Sequence, residues 1–75
     1  MNIKNIINDI LKTDCDWEKT SEESLLSIGL TAEEVLLIIL GIAQMYNVNL
    51  LSFLLKIETC SIKEFERIMS EESNE

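Results

Sequence analysis

The stretch "SIGLTAEEVLLIIL" at residues 27–40 decides how the chain is read. Gly29 stops whatever precedes it, and "TAEE" is a strong helix start. Thr31 can accept a hydrogen bond from a first-turn N–H while Glu34, three residues on, reaches back to the Thr31 N–H. Glu33 and Glu34 both favour the positive end of the helix dipole. A long helix therefore starts at about Ala32 and runs to about Tyr46. Within it Val35, Ile38, Ile39, Ile42 and Tyr46 recur at spacings of three and four and predict a core face, with Met45 at its edge.

Working outward, Ile3, Ile6, Ile7, Ile10 and Leu11 form the apolar stripe of a first amphipathic helix. The polar stretch "TDCDWEKTSEES" then reads as a long loop, in which Trp17 is the one large apolar anchor and is expected to fold back onto the helices. Thr20 with Glu23, and Ser21 with Ser24, offer caps for a short helical turn carrying Leu25, Leu26 and Ile28. Beyond the long helix, "NVN" supplies a turn, and Asn49 can cap a short apolar helix from Leu50 to about Lys56. Ser61 and Glu64 bracket the first turn of a last helix with the stripe Ile62, Phe65, Ile68 and Met69. The expectation is an all-α four-helix domain over residues 1–70, with a long first loop, a short third helix and an acidic disordered tail at residues 71–75.

Composition narrows the function. A chain of 75 residues buries only about 60% of the surface its unfolded form exposes, which leaves little room for an enzyme's deep cleft. Hydrophobic residues make up 47% of it, with two glycines and no proline, as a folded helical domain requires. Fourteen acidic against six basic residues give a net charge of -8, which repels nucleic-acid phosphates and anionic lipid headgroups and suits a basic partner surface. The longest apolar run, residues 35–43, is far below the ~20 residues of a membrane span, and no secretory leader pattern is visible, so a cytoplasmic location is expected. Cys15 and Cys60 lack CxxC spacing and the chain has no histidine, so two reduced thiols and no metal site are expected. With no catalytic motif, the glutamates read as caps and solvated surface.

The order of these pieces resembles the acyl carrier protein family. "LLSIGL" at residues 25–30 is similar to the hydrophobic-Gly-hydrophobic element that leads into the family's Asp-Ser-Leu. Tyr46, Val48 and Leu50 resemble the aromatic and alternating apolar residues after its second helix, and the interval between Gly29 and Tyr46 matches without a gap. "IETCSIKEF" at residues 57–65 resembles the segment that opens the family's last helix, so the resemblance covers residues 3–69. It implies a four-helix acyl-carrier-like bundle whose second helix presents a recognition face to modifying enzymes.

The departure lies at the centre of the motif, where Thr31, Ala32 and Glu33 stand for Asp-Ser-Leu. The family's serine carries phosphopantetheine through a phosphodiester, and the methyl group of Ala32 offers no oxygen for that bond. Thr31 is turned by roughly 100° from the serine position and is better used as the cap; Ser27 is the other neighbouring hydroxyl. An engineered serine-to-alanine change would leave the flanking Asp and Leu intact, and both differ here, which favours a natural loss.

The resemblance assigns Glu33, Leu36, Leu37, Leu40 and Gln44 to the recognition face. A helix apolar nearly all round is normally buried, so two readings arise: the Trp17 loop lies over Leu36, Leu37 and Leu40, or those leucines form an exposed patch for a partner or for self-association. The resemblance places that face outward. Burying each leucine is worth about 1.5 to 3 kcal/mol, whereas association costs an estimated 4 to 15 kcal/mol, so a modest, salt-sensitive contact is expected, with Glu22, Glu23, Glu33 and Glu34 steering it toward a basic or mixed apolar and basic surface. The apolar third helix and Gly41 read as core filling and close helix packing.

Function then divides three ways. The leading expectation is a non-catalytic carrier-like protein, without a cofactor, that docks onto a biosynthetic or peptide-modifying enzyme, as carrier-related proteins of bacterial peptide maturation systems do. The second is an acyl or peptidyl carrier, natural or with its attachment serine mutated, for fatty-acid, polyketide or nonribosomal-peptide synthesis, with phosphopantetheine as its cofactor. The third is a small helical regulator or antitoxin-like protein that binds a basic partner.

Overall fold

The computed structural model describes residues 3–73. Four α-helices follow one another, α1 (Ile3–Leu11), α2 (Ala32–Met45), α3 (Leu50–Lys56) and α4 (Ile62–Ser73), and a 3-10 turn at Glu18–Thr20 interrupts the first loop. α1 packs against α2 and α4, and α2 against α3. The radius of gyration is 11.4 Å, close to the ~11 Å of a compact chain of this length.

The hydrophobic stripes explain the arrangement. Ile3, Ile6 and Ile7 from α1, Val35, Ile38, Ile39, Ile42 and Ala43 from α2, and Phe53 from α3 bury against Ile62, Phe65, Ile68 and Met69 of α4. Phe53 and Phe65 meet edge to face, with ring centroids 5.8 Å apart, a geometry that matches the positive edge of one ring to the negative face of the other. Gly41 permits the close approach of α1: a Cβ there would lie 2.5 Å from Ile10 Cδ1.

The helix ends follow the residues that cap them. Thr31 Oγ1 accepts from Glu34 N at 3.1 Å, and Glu34 Oε1 accepts from Thr31 N at 2.8 Å, so the reciprocal box is complete and α2 starts at Ala32. Asn49 Oδ1 accepts from Ser52 N at 2.9 Å and starts α3. Three segments end alike, each with a left-handed residue followed by a bond that spans five residues. Lys12 (φ 55°) precedes Thr13 N–H donating to Asn8 C=O, Gly29 (φ 114°) precedes Leu30 donating to Leu25, and Asn47 (φ 55°) precedes Val48 donating to Ala43.

Two boundaries differ from the sequence expectation. Leu25, Leu26 and Ile28 lie in a tight hydrogen-bonded turn, with the Ser27 and Ile28 N–H groups both donating to Ser24 C=O, that does not extend into a regular helix. The Leu25 N–H donates to Cys60 C=O at 3.0 Å and Ser24 forms a β-bridge with Ser61, which ties this backbone to the loop before α4 and keeps it from continuing a helix. The hydroxyl of Ser21, expected to cap such a turn, instead donates back to Glu18 C=O. The second difference is at the end of the chain. α4 continues through Ser73, so residues 71–73 of the expected disordered tail are helical, with the Arg67 guanidinium 3.4 Å from the Glu71 carboxylate one turn on. Residues 74 and 75 lie outside the described residues.

The long loop is anchored by α1. Trp17 is only 6% exposed, and its indole N–H donates to Asn8 Oδ1 at 2.8 Å. The Asn8 side chain also donates to Cys15 C=O and accepts from Cys15 N, so one amide on α1 holds both the loop backbone and its aromatic anchor. Lys4 of α1 pairs with Glu18, which raises the Lys4 pKa chiefly through that hydrogen bond.

Removing the Thr31 hydroxyl by Thr31→Ala should lower stability by about 1 kcal/mol, through loss of the cap alone. Urea unfolding followed by far-ultraviolet circular dichroism checks this, with the denaturant slope unchanged.

Candidate functional site

α2 buries one side and exposes the other. At 3.6 residues per turn, Glu33, Leu36, Leu37, Leu40 and Gln44 fall within about 100° of arc. All five are exposed, including Leu36 at 49%, Leu37 at 50% and Leu40 at 39%. The Trp17 loop therefore does not cover these leucines. Trp17 itself lies with Leu11, Ile28, Leu30 and Glu34 around a separate depression.

Between α2 and α3 runs an open groove of about 640 Å³, lined by Leu37, Leu40, Gln44, Asn47, Val48 and Leu50. It joins the leucine face to α3, where the expectation of core filling fails. Of that helix only Phe53 is buried, and Leu51, Leu54 and Leu55 stand exposed. The helical geometry explains it: Leu51 and Leu55, four apart, point to the side opposite Phe53, and a seven-residue helix beside α2 can turn only one side inward.

The charges gather at one end. Glu33 is exposed at the first turn of α2, while the Glu34 carboxylate is engaged in the capping box. Beyond Glu34, residues 35–57 contain no aspartate or glutamate and a single cation, Lys56, so the rest of the α2 face is hydrocarbon with scattered amides. Glu22 and Glu23 are exposed in the preceding turns.

Ala32 is exposed in the first turn of α2. A phosphodiester needs a side-chain oxygen, and a methyl group supplies none, so position 32 does not fit phosphopantetheine. The Thr31 hydroxyl faces the helix end, where it accepts from Glu34 N, and Ser27 lies exposed in the turn before Gly29. Among the described residues no cluster of three or more histidine, cysteine, aspartate or glutamate side chains is gathered to hold a metal ion, and no helix is long and apolar enough to cross a membrane.

A polar element that the sequence reading took for a simple cap sits at the start of α4. Ser61 Oγ accepts from Glu64 N at 3.1 Å, but the buried Glu64 carboxylate turns outward from its own helix to accept from Glu58 N, Thr59 N and Cys60 N at 2.9 to 3.2 Å. It thereby fixes the loop between α3 and α4, including Cys60 in a left-handed conformation. Cys15 is an exposed free thiol and Cys60 a half-buried one. Burial, and then the nearby Glu64 carboxylate, push the Cys60 thiol above its ordinary range.

The chain matches no protein-family model, no curated protein and no solved structure.

The exposed and buried sides of α2 should separate cleanly in unfolding experiments. Leu37→Gln should change stability by no more than about 0.5 kcal/mol, whereas Ile38→Ala, one residue on, should cost about 2 to 5 kcal/mol. The thiols should separate too: at neutral pH iodoacetamide should modify Cys15 well before Cys60, as read by intact mass against time.

Proposed function

We propose that the chain is a non-catalytic, acyl-carrier-like interaction protein that docks onto a biosynthetic or peptide-modifying enzyme and carries no phosphopantetheine. The observation that carries this reading is the leucine face of α2. Leu36, Leu37 and Leu40 stand in water on the side that the resemblance to acyl carrier proteins assigns to enzyme recognition. Exposed apolar surface of this kind marks contact sites in small proteins.

Two further features support it. Glu33 at the amino end of the face offers a carboxylate to a basic rim, while the leucines offer hydrocarbon to an apolar cleft. A partner surface of mixed apolar and basic character fits both, and the net charge of -8 would speed its approach. Ala32 at the attachment position removes the oxygen that a carrier needs, so the protein recruits the enzyme without presenting a tethered substrate to it.

Incubation with coenzyme A and a broad phosphopantetheinyl transferase tests this. The intact mass should remain that of the bare chain. A gain equal to one phosphopantetheine would overturn the reading and make the chain a carrier modified at Thr31 or a serine.

A further inference from the structure

We infer that the docking surface continues across α2 onto α1, in a trough that takes a short segment of the partner with a lysine or arginine at one end and apolar side chains at the other. This rests on the docking reading above and names the chemistry of what docks. Besides the groove toward α3, α2 borders a second depression, of about 450 Å³, lined by Ile6, Asp9, Ile10, Gly41, Gln44 and Met45. Gly41 and Gln44 line both depressions. α1 and α3 both pack on α2, and the missing side chain at Gly41 lets the two hollows meet over the helix between them. A Cβ at that position would lie 2.5 Å from Ile10 Cδ1, so any larger residue narrows the passage.

The charge selects the occupant. Asp9 is the one charged residue in the lining of either depression. Its carboxylate is exposed, and no side chain among the described residues pairs with it. Its place on α1 leaves that charge unanswered: Asp9 lies in the last turn of Ile3–Leu11, where the carbonyl end of a helix disfavours an anion, and no basic residue in that turn offsets it. A cation brought by the partner answers the carboxylate and the helix end together. Toward α3 the lining is hydrocarbon from Leu37, Leu40, Val48 and Leu50, so the rest of the segment is apolar. A second copy of this chain, of charge -8, is repelled where a basic segment is drawn in. Neighbouring helices pack about 8 to 10 Å apart, so the trough from α1 to α3 spans at most about 20 Å, the reach of about six residues of extended chain.

Nuclear magnetic resonance titration of the isotopically labelled chain with synthetic capped hexapeptides, in about 0.15 M salt, tests this. The probe peptide carries lysine at its first position, leucine at its last two and glycine between; one control replaces the lysine by glycine and another replaces both leucines by glycine. The probe should shift the amide signals of Ile10, Gly41, Gln44 and Val48 and bind about threefold more tightly than the control without lysine, the margin of one exposed ion pair. Asp9→Asn, at an exposed position outside the core, should erase that margin, while Glu22→Gln should preserve it. Gly41→Ala raises helix propensity but crowds Ile10, and should weaken binding of the probe with helix content retained. Equal binding with and without the lysine would overturn the proposal, and so would binding undiminished by loss of the leucines. Shifts confined to other surfaces, or none up to about 5 mM probe, would overturn it as well. Amide shifts that follow protein concentration without peptide would assign the trough to a second copy instead. Each of these failures leaves docking on the leucine face of α2 intact, because that is read from contact with an enzyme and not from Asp9.

Discussion

The rest of the structure depends on a constraint in α2: the helix is apolar on nearly every side, and a four-helix domain can bury only part of it. Val35, Ile38, Ile39, Ile42 and Ala43 take the interior. Once those positions are fixed by packing against α1 and α3, helical geometry turns Leu36, Leu37 and Leu40 to water. The capping box at Thr31 and Glu34 sets where the helix starts, and with it the placing of Ala32 and of the leucines that follow. Desolvating leucine surface is favourable at about 25 cal/mol per Å², so hydrocarbon kept in water at this site is a standing drive toward association.

Polar side chains hold the parts that the hydrophobic stripes cannot. Asn8 reaches from α1 to the loop backbone at Cys15 and to the Trp17 indole, and Glu64 reaches from α4 to three successive N–H groups. A carboxylate that accepts several backbone N–H groups makes strong hydrogen bonds, worth about 1.5 to 3 kcal/mol to a charged partner, in a chain whose core is small.

Much of this architecture was legible in the residues. The four helices, the Thr31 box, the Asn49 cap and the burial of Trp17 followed from local chemistry, because each depends on neighbours within a few positions. The bridge between Ser24 and Ser61 was not legible, since it joins backbones 37 residues apart whose side chains carry no mark of the pairing. Nor was the reach of Glu64: a serine followed by a glutamate three positions on is the same pattern whether the carboxylate returns to its own cap or crosses to another loop. The exposure of Leu51, Leu54 and Leu55 depends on how few elements surround α3, a property of the whole packing. At the site, Glu33, Leu36, Leu37, Leu40 and Gln44 could be placed on one face from their spacing, while the groove that joins them to α3 required the fold.

The central claim is that the leucine face of α2 is where an enzyme docks. A photo-crosslinking amino acid placed in turn at positions 37 and 40, and for comparison at the exposed positions Lys63 and Arg67 on α4, tests it inside the producing cells. Mass spectrometry of the adducts should find a biosynthetic or peptide-modifying enzyme joined to positions 37 and 40 and absent from 63 and 67. Adducts to such an enzyme from α4 and none from α2 would contradict the account.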